Sequence, residues 1–179
     1  MDFRAVLRLI GKDFHKEGVR YALMGGFALG AQGAPRATID LDFIINSDDG
    51  IKVDGIMKTR GYRCVYKSDE VAQYVSKDRL FGEVDFILAH RNISRKMLER
   101  AEEKEIFSMK VRVLLPEDII GLKIQALAND KTRAAKEYLD IESLLGFHKN
   151  KLDWIVLKDY FKLFDLGGKY EEYRKRFHA

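Results

Sequence analysis

The sequence predicts an α/β (α+β) fold followed by a C-terminal helical bundle, and three patterns support this prediction. Residues 21–45 read as an apolar strand, a short glycine-rich helix and a second strand. Residues 72–88 hold two strand-like runs separated by a polar turn, which is typical of an antiparallel hairpin. From Pro116 onward, apolar residues recur at helical spacing.

In the first part of the chain, the apolar pattern changes period several times. A helix begins the chain because Phe3, Val6, Ile10 and Phe14 fall on one face. Gly18 is predicted to end this helix. The predicted order is helix 2–17, strand 19–24, helix 27–32, strand 39–45, helix 51–60, strand 62–66, strands 72–76 and 82–88, helix 94–103, and one or two strands within 105–114.

Helical patterns dominate the rest of the chain. The first of these helices begins with proline and two acidic residues, which suit a first helical turn. Gly167 and Gly168 are predicted to separate the last two helices. The predicted helices cover residues 116–129, 131–147, 152–166 and 170–177. We therefore predict one domain over residues 1–115 and a helical region over residues 116–179 packed on it.

The composition is that of a soluble globular protein, with 46% hydrophobic and 34% charged residues. The net charge of +4 and the pI of about 9.0 are compatible with nucleotide or nucleic acid without demonstrating either. Cys64 is the only cysteine, which excludes an internal disulfide and indicates a reduced, cytoplasmic setting. No apolar run approaches the roughly 20 residues that span a bilayer, and we expect no membrane association.

Two aspartates occupy alternate positions of the second predicted strand. Successive strand side chains point to opposite faces, so Asp40 and Asp42 leave on one side while Ile39, Leu41 and Phe43 fill the other. Carboxylates this close repel each other, and a divalent cation would neutralise them. Oxygen ligands of this kind suit Mg²⁺ or Mn²⁺. An Asp-x-Asp pattern alone is more often a solvated strand edge.

A glycine pair, Gly25 and Gly26, stands where the first strand enters a helix. The free N–H groups and the positive dipole end at such a place bind phosphate. Glycine also leaves the backbone accessible to a ligand. Alone, the pair would be ordinary turn glycines, but beside two aspartates it predicts adjoining metal and phosphate sites.

The order Gly25-Gly26, helix, Arg36-x-Thr38-x-Asp40-x-Asp42 resembles the signature of the nucleotidyltransferase superfamily. DNA polymerase beta and kanamycin nucleotidyltransferase share its fold. The resemblance implies a mixed β-sheet flanked by helices and makes residues 1–115 the catalytic domain. The superfamily usually has Gly-Ser where this chain has Gly25-Gly26. The Gly-Gly form with Arg36 and Thr38 is closest to the AbiEii-type toxin branch.

This resemblance also implies roles for residues outside the first motif. In the superfamily, a third catalytic carboxylate comes from a neighbouring strand, and Asp85 in the run GEVDFIL is the best match, with Glu83 in reserve. Asp40, Asp42 and Asp85 would then be the metal ligands, with Asp85 also positioned to accept the proton of the acceptor hydroxyl.

A second, weaker pattern in the helical region also matches the AbiEii-type branch. Lys123 matches a helical lysine of that branch, and Arg133, Lys136 and Asp140 match a later segment, while Glu137 stands where aspartate is common. Lys136 and Asp140 are four residues apart and could instead form a plain salt bridge.

The implied reaction transfers a nucleoside monophosphate from an NTP to an acceptor hydroxyl and releases pyrophosphate. Gly25 and Gly26 would approach the phosphates, and Arg36 and Lys123 would neutralise phosphate charge. Arg36 could equally pair with an aspartate, and Thr38 could bond a phosphate or fix the loop.

The resemblance leaves several acceptors and roles open. RNA, such as a tRNA end, is the first expected acceptor, in a toxin–antitoxin or phage-defence setting with a cognate antitoxin. A protein is the second, and a small molecule such as an aminoglycoside or a lincosamide is the third. A non-catalytic nucleotide-binding or antitoxin-like module of the same fold is the alternative, and glycine at position 26 is the feature that favours it.

Other chemistries lack their motifs. Gly25 and Gly30 have the outer spacing of a P-loop, but Ala31 and Gln32 follow where lysine and serine or threonine are required. The four histidines lie far apart and form no zinc pattern.

Overall fold

The structure is a computed structural model that describes residues 1–149 and 151–178. The chain divides into two compact units. The first unit comprises Met1–Ala31 and Arg36–Leu114, and the second comprises Gln32–Pro35 and the residues from Leu115 onward. The short segment 32–35 thus belongs with the C-terminal helices, although it lies between two elements of the first unit.

A seven-stranded sheet forms the first unit, in the order β3-β4-β5-β2-β1-β7-β6. Its strands are β1 (Tyr21–Met24), β2 (Asp40–Asn46), β3 (Tyr62–Lys67), β4 (Val71–Ser76), β5 (Glu83–Ala89), β6 (Glu102–Ile106) and β7 (Met109–Val113). Its helices are α1 (Phe3–Lys16), α2 (Gly25–Ala31), α3 (Gly50–Thr59) and α4 (Asn92–Arg100). The mixed sheet with accompanying helices confirms the predicted fold class.

Strand pairing places β2 at the centre of the sheet. β2 runs antiparallel to β1 and parallel to β5, while β5 pairs with β4 as the predicted antiparallel hairpin. β1 also pairs in parallel with β7. The carboxyl end of β1 and the amino end of β2 therefore lie together, because the two strands are antiparallel neighbours.

One face of the central strands is packed with aromatic rings. Phe43 of β2 stacks on Phe86 of β5 with ring centroids 5.7 Å apart, and Phe14 of α1 lies 5.9 Å from Phe43. Leu41 is fully buried, as predicted. Ile39 was predicted to fill the same apolar face, and this prediction was wrong. The residue is 79% exposed because the strand begins after it, at Asp40.

Helices make up the second unit: α5 (Pro116–Asn129), α6 (Ala134–His148), α7 (Trp154–Leu163) and α8 (Gly167–Phe177). The predicted bounds of α5 are confirmed. The stretch before α6 is a separate 3-10 turn, Lys131–Arg133, because the Asp130 carboxylate accepts a hydrogen bond from the Thr132 N–H. The prediction that Gly167 and Gly168 break the chain was wrong, since both lie in the first turn of α8.

The turn between α7 and α8 lies earlier than predicted. Asp165 adopts a left-handed backbone with φ of 57°, which reverses the chain before α8 begins. None of the helices in the described part of the chain is long and apolar enough to cross a membrane.

Candidate functional site

Strand register brings the predicted carboxylates to one face of the sheet. β2 and β5 are parallel neighbours, with Asp42 opposite Asp85 and Asp40 opposite Glu83. Residues paired across a ladder project to the same face. The buried Leu41 and Phe43 occupy the other face, as expected from alternation along the strand. Two strands far apart in sequence thus contribute four neighbouring acidic side chains.

Asp85 is partly buried among groups that affect its charge. Burial raises the pKa of Asp85 above its usual value, and the charges of Asp40 and Glu83 raise it further. The side chain of Gln73, which faces Asp85 from β4, donates a hydrogen bond of 3.2 Å to Asp85 Oδ2 and opposes this rise in pKa. The carboxylate is therefore oriented by a neutral amide while its negative charge is retained.

Gly25 begins α2 directly against Asp42. Its backbone is left-handed, with φ of 65°. A Cβ atom at this position would lie only 1.9 Å from Asp42 Oδ2. Both the conformation and the lack of space therefore require glycine. The backbone of Gly25 and the Asp42 carboxylate are therefore in close contact.

Gly26 is buried beneath the loop that leads into β2. A Cβ atom here would lie 2.7 Å from Thr38 Oγ1 and 2.9 Å from Thr38 Cβ. Thr38 Oγ1 in turn donates a 2.6 Å hydrogen bond to Asp40 Oδ1. This contact supports the interpretation that Thr38 fixes the loop. It also gives a physical reason for glycine at position 26, because Thr38 occupies the space that a larger residue would need.

The side chain of Arg36 also lies against Gly26. Its Nη1 atom would be 3.0 Å from a Cβ on Gly26 and donates a 2.8 Å hydrogen bond to the carbonyl oxygen of Ala37. The side chain is only partly exposed. Its guanidinium group therefore lies beside Gly26, and its phosphate contact stays a prediction.

The donor set on this face fits a divalent cation. Asp40, Asp42 and Asp85 offer hard carboxylate oxygens, which Mg²⁺ and Mn²⁺ prefer. All three side chains are partly exposed. Over residues 1–149 and 151–178, no three histidine, cysteine, aspartate or glutamate side chains already form a metal-binding group. The fit therefore rests on the chemistry of the donors and on their shared face, and the metal assignment stays a prediction.

Gln73 is the site residue that sequence reasoning missed. It lies within the predicted 72–76 strand, but a single neutral amide in a hairpin carries no chemical signature. Only its pairing opposite Asp85 reveals its contact with the site. An alignment of the two hairpin arms about their polar turn would have been needed to find it.

Lys123 lies in the second unit, where it is buried in a cluster of charges. Its ammonium group donates to Glu137 Oε2 at 2.9 Å and to Asp140 Oδ2. Arg133 also pairs with Glu137, at 2.7 Å. Sequence reasoning suggested phosphate for Lys123 and Lys136 for Asp140. The structure instead shows that two buried carboxylates already neutralise Lys123.

This cluster shifts the pKa of its own acid. Burial would raise the pKa of Glu137, but hydrogen bonds and positive charge from Lys123 and Arg133 outweigh it and lower that pKa below the usual value. Glu137, whose role the sequence left uncertain, is therefore the shared partner of two cations.

Comparison with known proteins supports the same fold. A sequence model of the family described as "Uncharacterised nucleotidyltransferase" matches residues 2–166. No match was found among curated proteins.

Several solved structures resemble the chain. The antibiotic-resistance factor ANT(2'')-Ia has a TM-score of 0.65 and 16% identity, with 99% of each chain covered. The lincosamide antibiotic adenylyltransferase LnuA has a TM-score of 0.58 and 15% identity, covering 80% of this chain and 96% of its own. An antigenic nucleotidyltransferase-like protein from Paracoccidioides brasiliensis has a TM-score of 0.59 and 20% identity, covering 96% and 91%.

Proposed function

This chain belongs to the family described as uncharacterised nucleotidyltransferases, and we propose that it transfers a nucleoside monophosphate from an NTP to an acceptor hydroxyl. In this reaction the acceptor oxygen forms a bond to the α phosphorus, the bond from that phosphorus to the β-phosphate oxygen breaks, and pyrophosphate leaves. The observation that carries the proposal is the register of Asp42 beside Asp85, directly against the backbone of Gly25.

Different residues of the first unit have different roles in this reaction. Asp40, Asp42 and Asp85 would hold magnesium or manganese, which when bound supplies positive charge to the triphosphate and lowers the pKa of a hydroxyl. Asp85 accepts the proton of the acceptor hydroxyl.

The glycine pair and the loop that leads into β2 would bind the phosphates. Gly25 has no side chain, so a phosphate can approach its backbone closely. Gly26 supports this surface from below, because its missing side chain leaves room for Thr38. Arg36 offers a forked contact to phosphate oxygens. Thr38 holds Asp40 in place through its 2.6 Å hydrogen bond.

For the acceptor, we propose RNA such as a tRNA end, with a protein as the next choice. The support is the sequence resemblance to the AbiEii-type branch, which also suggests a toxin–antitoxin setting with a cognate antitoxin. A second candidate is a small molecule, and the observation that favours it is the likeness in fold to an antibiotic-resistance factor and to a lincosamide antibiotic adenylyltransferase.

A non-catalytic module of the same fold is the remaining alternative. Glycine in place of serine at position 26 was the feature in its favour. The contact of Thr38 with Gly26 weakens that argument, because the space of the missing side chain is filled by a residue that bonds Asp40.

The test is label transfer from each α-labelled NTP in the presence of magnesium and one acceptor at a time. Total RNA, cell-lysate protein and an aminoglycoside or lincosamide serve as the acceptors. We expect label in RNA, and Asp42→Asn should reduce it by at least about 100-fold, because several kcal/mol of charge stabilisation is lost.

Asp159→Asn is the matched control, since Asp159 is an exposed helical aspartate of the second unit. It should leave transfer unchanged. Label that enters RNA equally with both variants would contradict the mechanism, and label confined to the antibiotic would favour the second candidate.

A further inference from the structure

A basic groove lies in the first unit, at the end of β1 away from Gly25. It encloses about 510 Å³ between one face of α1, the start of β1 and the strand β7. A neighbouring cavity of about 410 Å³ shares Arg20, Tyr21 and Arg112 with it, so the two form one elongated depression. Tyr21 and Gly25 are separated by the length of β1, roughly 13 Å.

Positive charge is concentrated in this groove. The lining of the larger cavity contains five lysine and arginine side chains but one acidic side chain, Glu103. The basic residues are Arg8, Lys12, Arg20, Lys110 and Arg112. The neighbouring cavity adds Arg95, Asp48 and Glu99.

Most of this charge is available to a ligand. Arg8 and Lys12 are exposed and lie one helical turn apart on α1, and their side chains form no ion pair or hydrogen bond with another described residue. Arg20 is 67% exposed in its side chain and forms only a long ion pair, of 3.9 Å, with Asp49.

The remaining basic side chains are held in place. Lys110 pairs with Glu103 at 3.0 Å. Arg112 donates hydrogen bonds to the backbone carbonyl oxygens of Leu98, Glu99 and Ala101. These carbonyls carry no net charge, so they orient the guanidinium group of Arg112 without neutralising it.

The groove suits phosphate groups better than bases. Stacking of single-stranded bases needs exposed aromatic faces, whereas Phe14 is fully buried and Tyr21 is partly buried. Burial raises the pKa of Tyr21, which keeps its hydroxyl group protonated and able to donate a hydrogen bond. A chain of phosphates contacted in this way would be positioned without being read for sequence.

We propose that the basic groove binds the phosphate backbone of the RNA acceptor, several nucleotides from the hydroxyl that reacts. This inference rests on the proposed function, from which the RNA acceptor is taken. It adds a second binding surface to the first unit. Two contacts at separate places along the RNA would fix the direction in which its end approaches Asp42 and Asp85.

Binding of a fluorescent tRNA-sized RNA to the full chain tests this, measured by anisotropy over a series of salt concentrations. Every protein carries Asp42→Asn and NTP is omitted, so the result does not depend on catalysis. Arg8→Gln with Lys12→Gln should weaken binding about 5- to 30-fold near 0.1 M salt. The slope of log K against log salt should fall by about 1.4 to 1.8, since each of the two lost phosphate contacts contributes roughly 0.7 to 0.9.

The matched control is Lys158→Gln with Lys162→Gln, which removes two exposed lysines at the same spacing on α7. It should change affinity less than twofold. The exchange Arg8→Lys with Lys12→Arg keeps both charges and should retain binding even if the glutamine pair folds poorly.

Equal losses in the glutamine pair and the control would overturn the proposal, as would RNA binding that neither pair affects. A polyglutamate probe that binds as tightly as RNA through Arg8 and Lys12 would overturn the assignment to RNA. The absence of RNA binding in every variant would also overturn the assignment to RNA. Label transfer to another acceptor would still be open in that case, so the two failures are distinguishable.

Discussion

The two units each contain a cluster of acidic side chains, but they treat the charge differently. In the second unit, Glu137 and Asp140 are buried and share the ammonium group of Lys123. In the first unit, Asp40 and Asp85 are partly exposed and accept hydrogen bonds from neutral groups. A neutral donor orients a carboxylate without cancelling its charge.

This difference distinguishes a cluster that stabilises the fold from a cluster that can bind a ligand. Desolvating a carboxylate costs several kcal/mol unless an opposite charge lies beside it, and the second unit meets that requirement internally. The first unit leaves negative charge at the surface, where an added cation gains free energy. The pKa values shift accordingly, downward at Glu137 and upward at Asp85.

The largest effect is expected from removing the cation of the second unit. Lys123→Met would leave two buried carboxylates without the ammonium group and should lower the free energy of unfolding by about 3 to 5 kcal/mol. Urea denaturation measures this. Lys158→Met, at an exposed position, should change stability by less than about 0.5 kcal/mol. An unchanged unfolding midpoint for Lys123→Met would contradict the structural role of the cluster.

The next largest effect concerns the contact between Gly25 and Asp42. Gly25→Ala adds a strained backbone and a clash with the carboxylate, and should cost about 2 to 4 kcal/mol and at least about 100-fold in transfer. Gly61→Ala provides the control, because Gly61 also has positive φ, of 80°, with open space around it. It should cost about 1 to 2 kcal/mol and leave transfer intact. Similar transfer by both variants would argue against a catalytic role for this contact.

A smaller effect is expected at the second glycine. Gly26→Ala forces Thr38 to move, so we expect a loss of about 1 kcal/mol and a reduction of transfer of about 5- to 10-fold through displaced Asp40. Gly55→Ala should instead stabilise by about 0.5 to 1 kcal/mol, since Gly55 is an exposed helical glycine with nothing nearby. Thermal unfolding and label transfer together measure both effects. Full activity of Gly26→Ala would show that the position tolerates a side chain.

The smallest effect is the opposite pH dependence of the two clusters. The folded-state pKa of Glu137 is lowered from its ordinary 4.5, so its contribution to stability is present above that pH and is lost as pH falls through the folded value. The folded-state pKa of Asp85 is raised from its ordinary 3.8, so its ionisation costs stability as pH rises from that value through the folded one.

Unfolding midpoints of two variants between pH 3 and pH 7, without divalent metal, check these signs. Glu137→Gln should be less stable than the parent at neutral pH, and the difference should shrink in acid. Asp85→Asn should be equally or more stable at neutral pH, with the difference again vanishing in acid. If Asp85→Asn were less stable than the parent protein at neutral pH, Asp85 would have a structural role like that of Glu137.

Sequence reasoning was most successful where short stretches decide the structure. The bounds of α5 and the β4–β5 hairpin were predicted because helix starts, turn residues and apolar period are local signals. It failed at Ile39 because a strand's first paired residue depends on its neighbour strand. It failed at Gly167 because a helix can begin with glycine when a residue shortly before it, here Asp165, makes the turn.

By itself, the sequence determined the class of fold, the aspartates at alternate positions of one strand, and the glycine pair that precedes them. These features follow from side-chain alternation and backbone freedom, which act over a few residues. The family resemblance had already suggested Asp85 as a companion of the two aspartates, and the strand register has Asp85 opposite Asp42. Tertiary structure alone decided that Gln73 holds Asp85 and that Lys123 is enclosed by acids. Strand register and helix packing join residues far apart in the chain, and no local pattern encodes those distances.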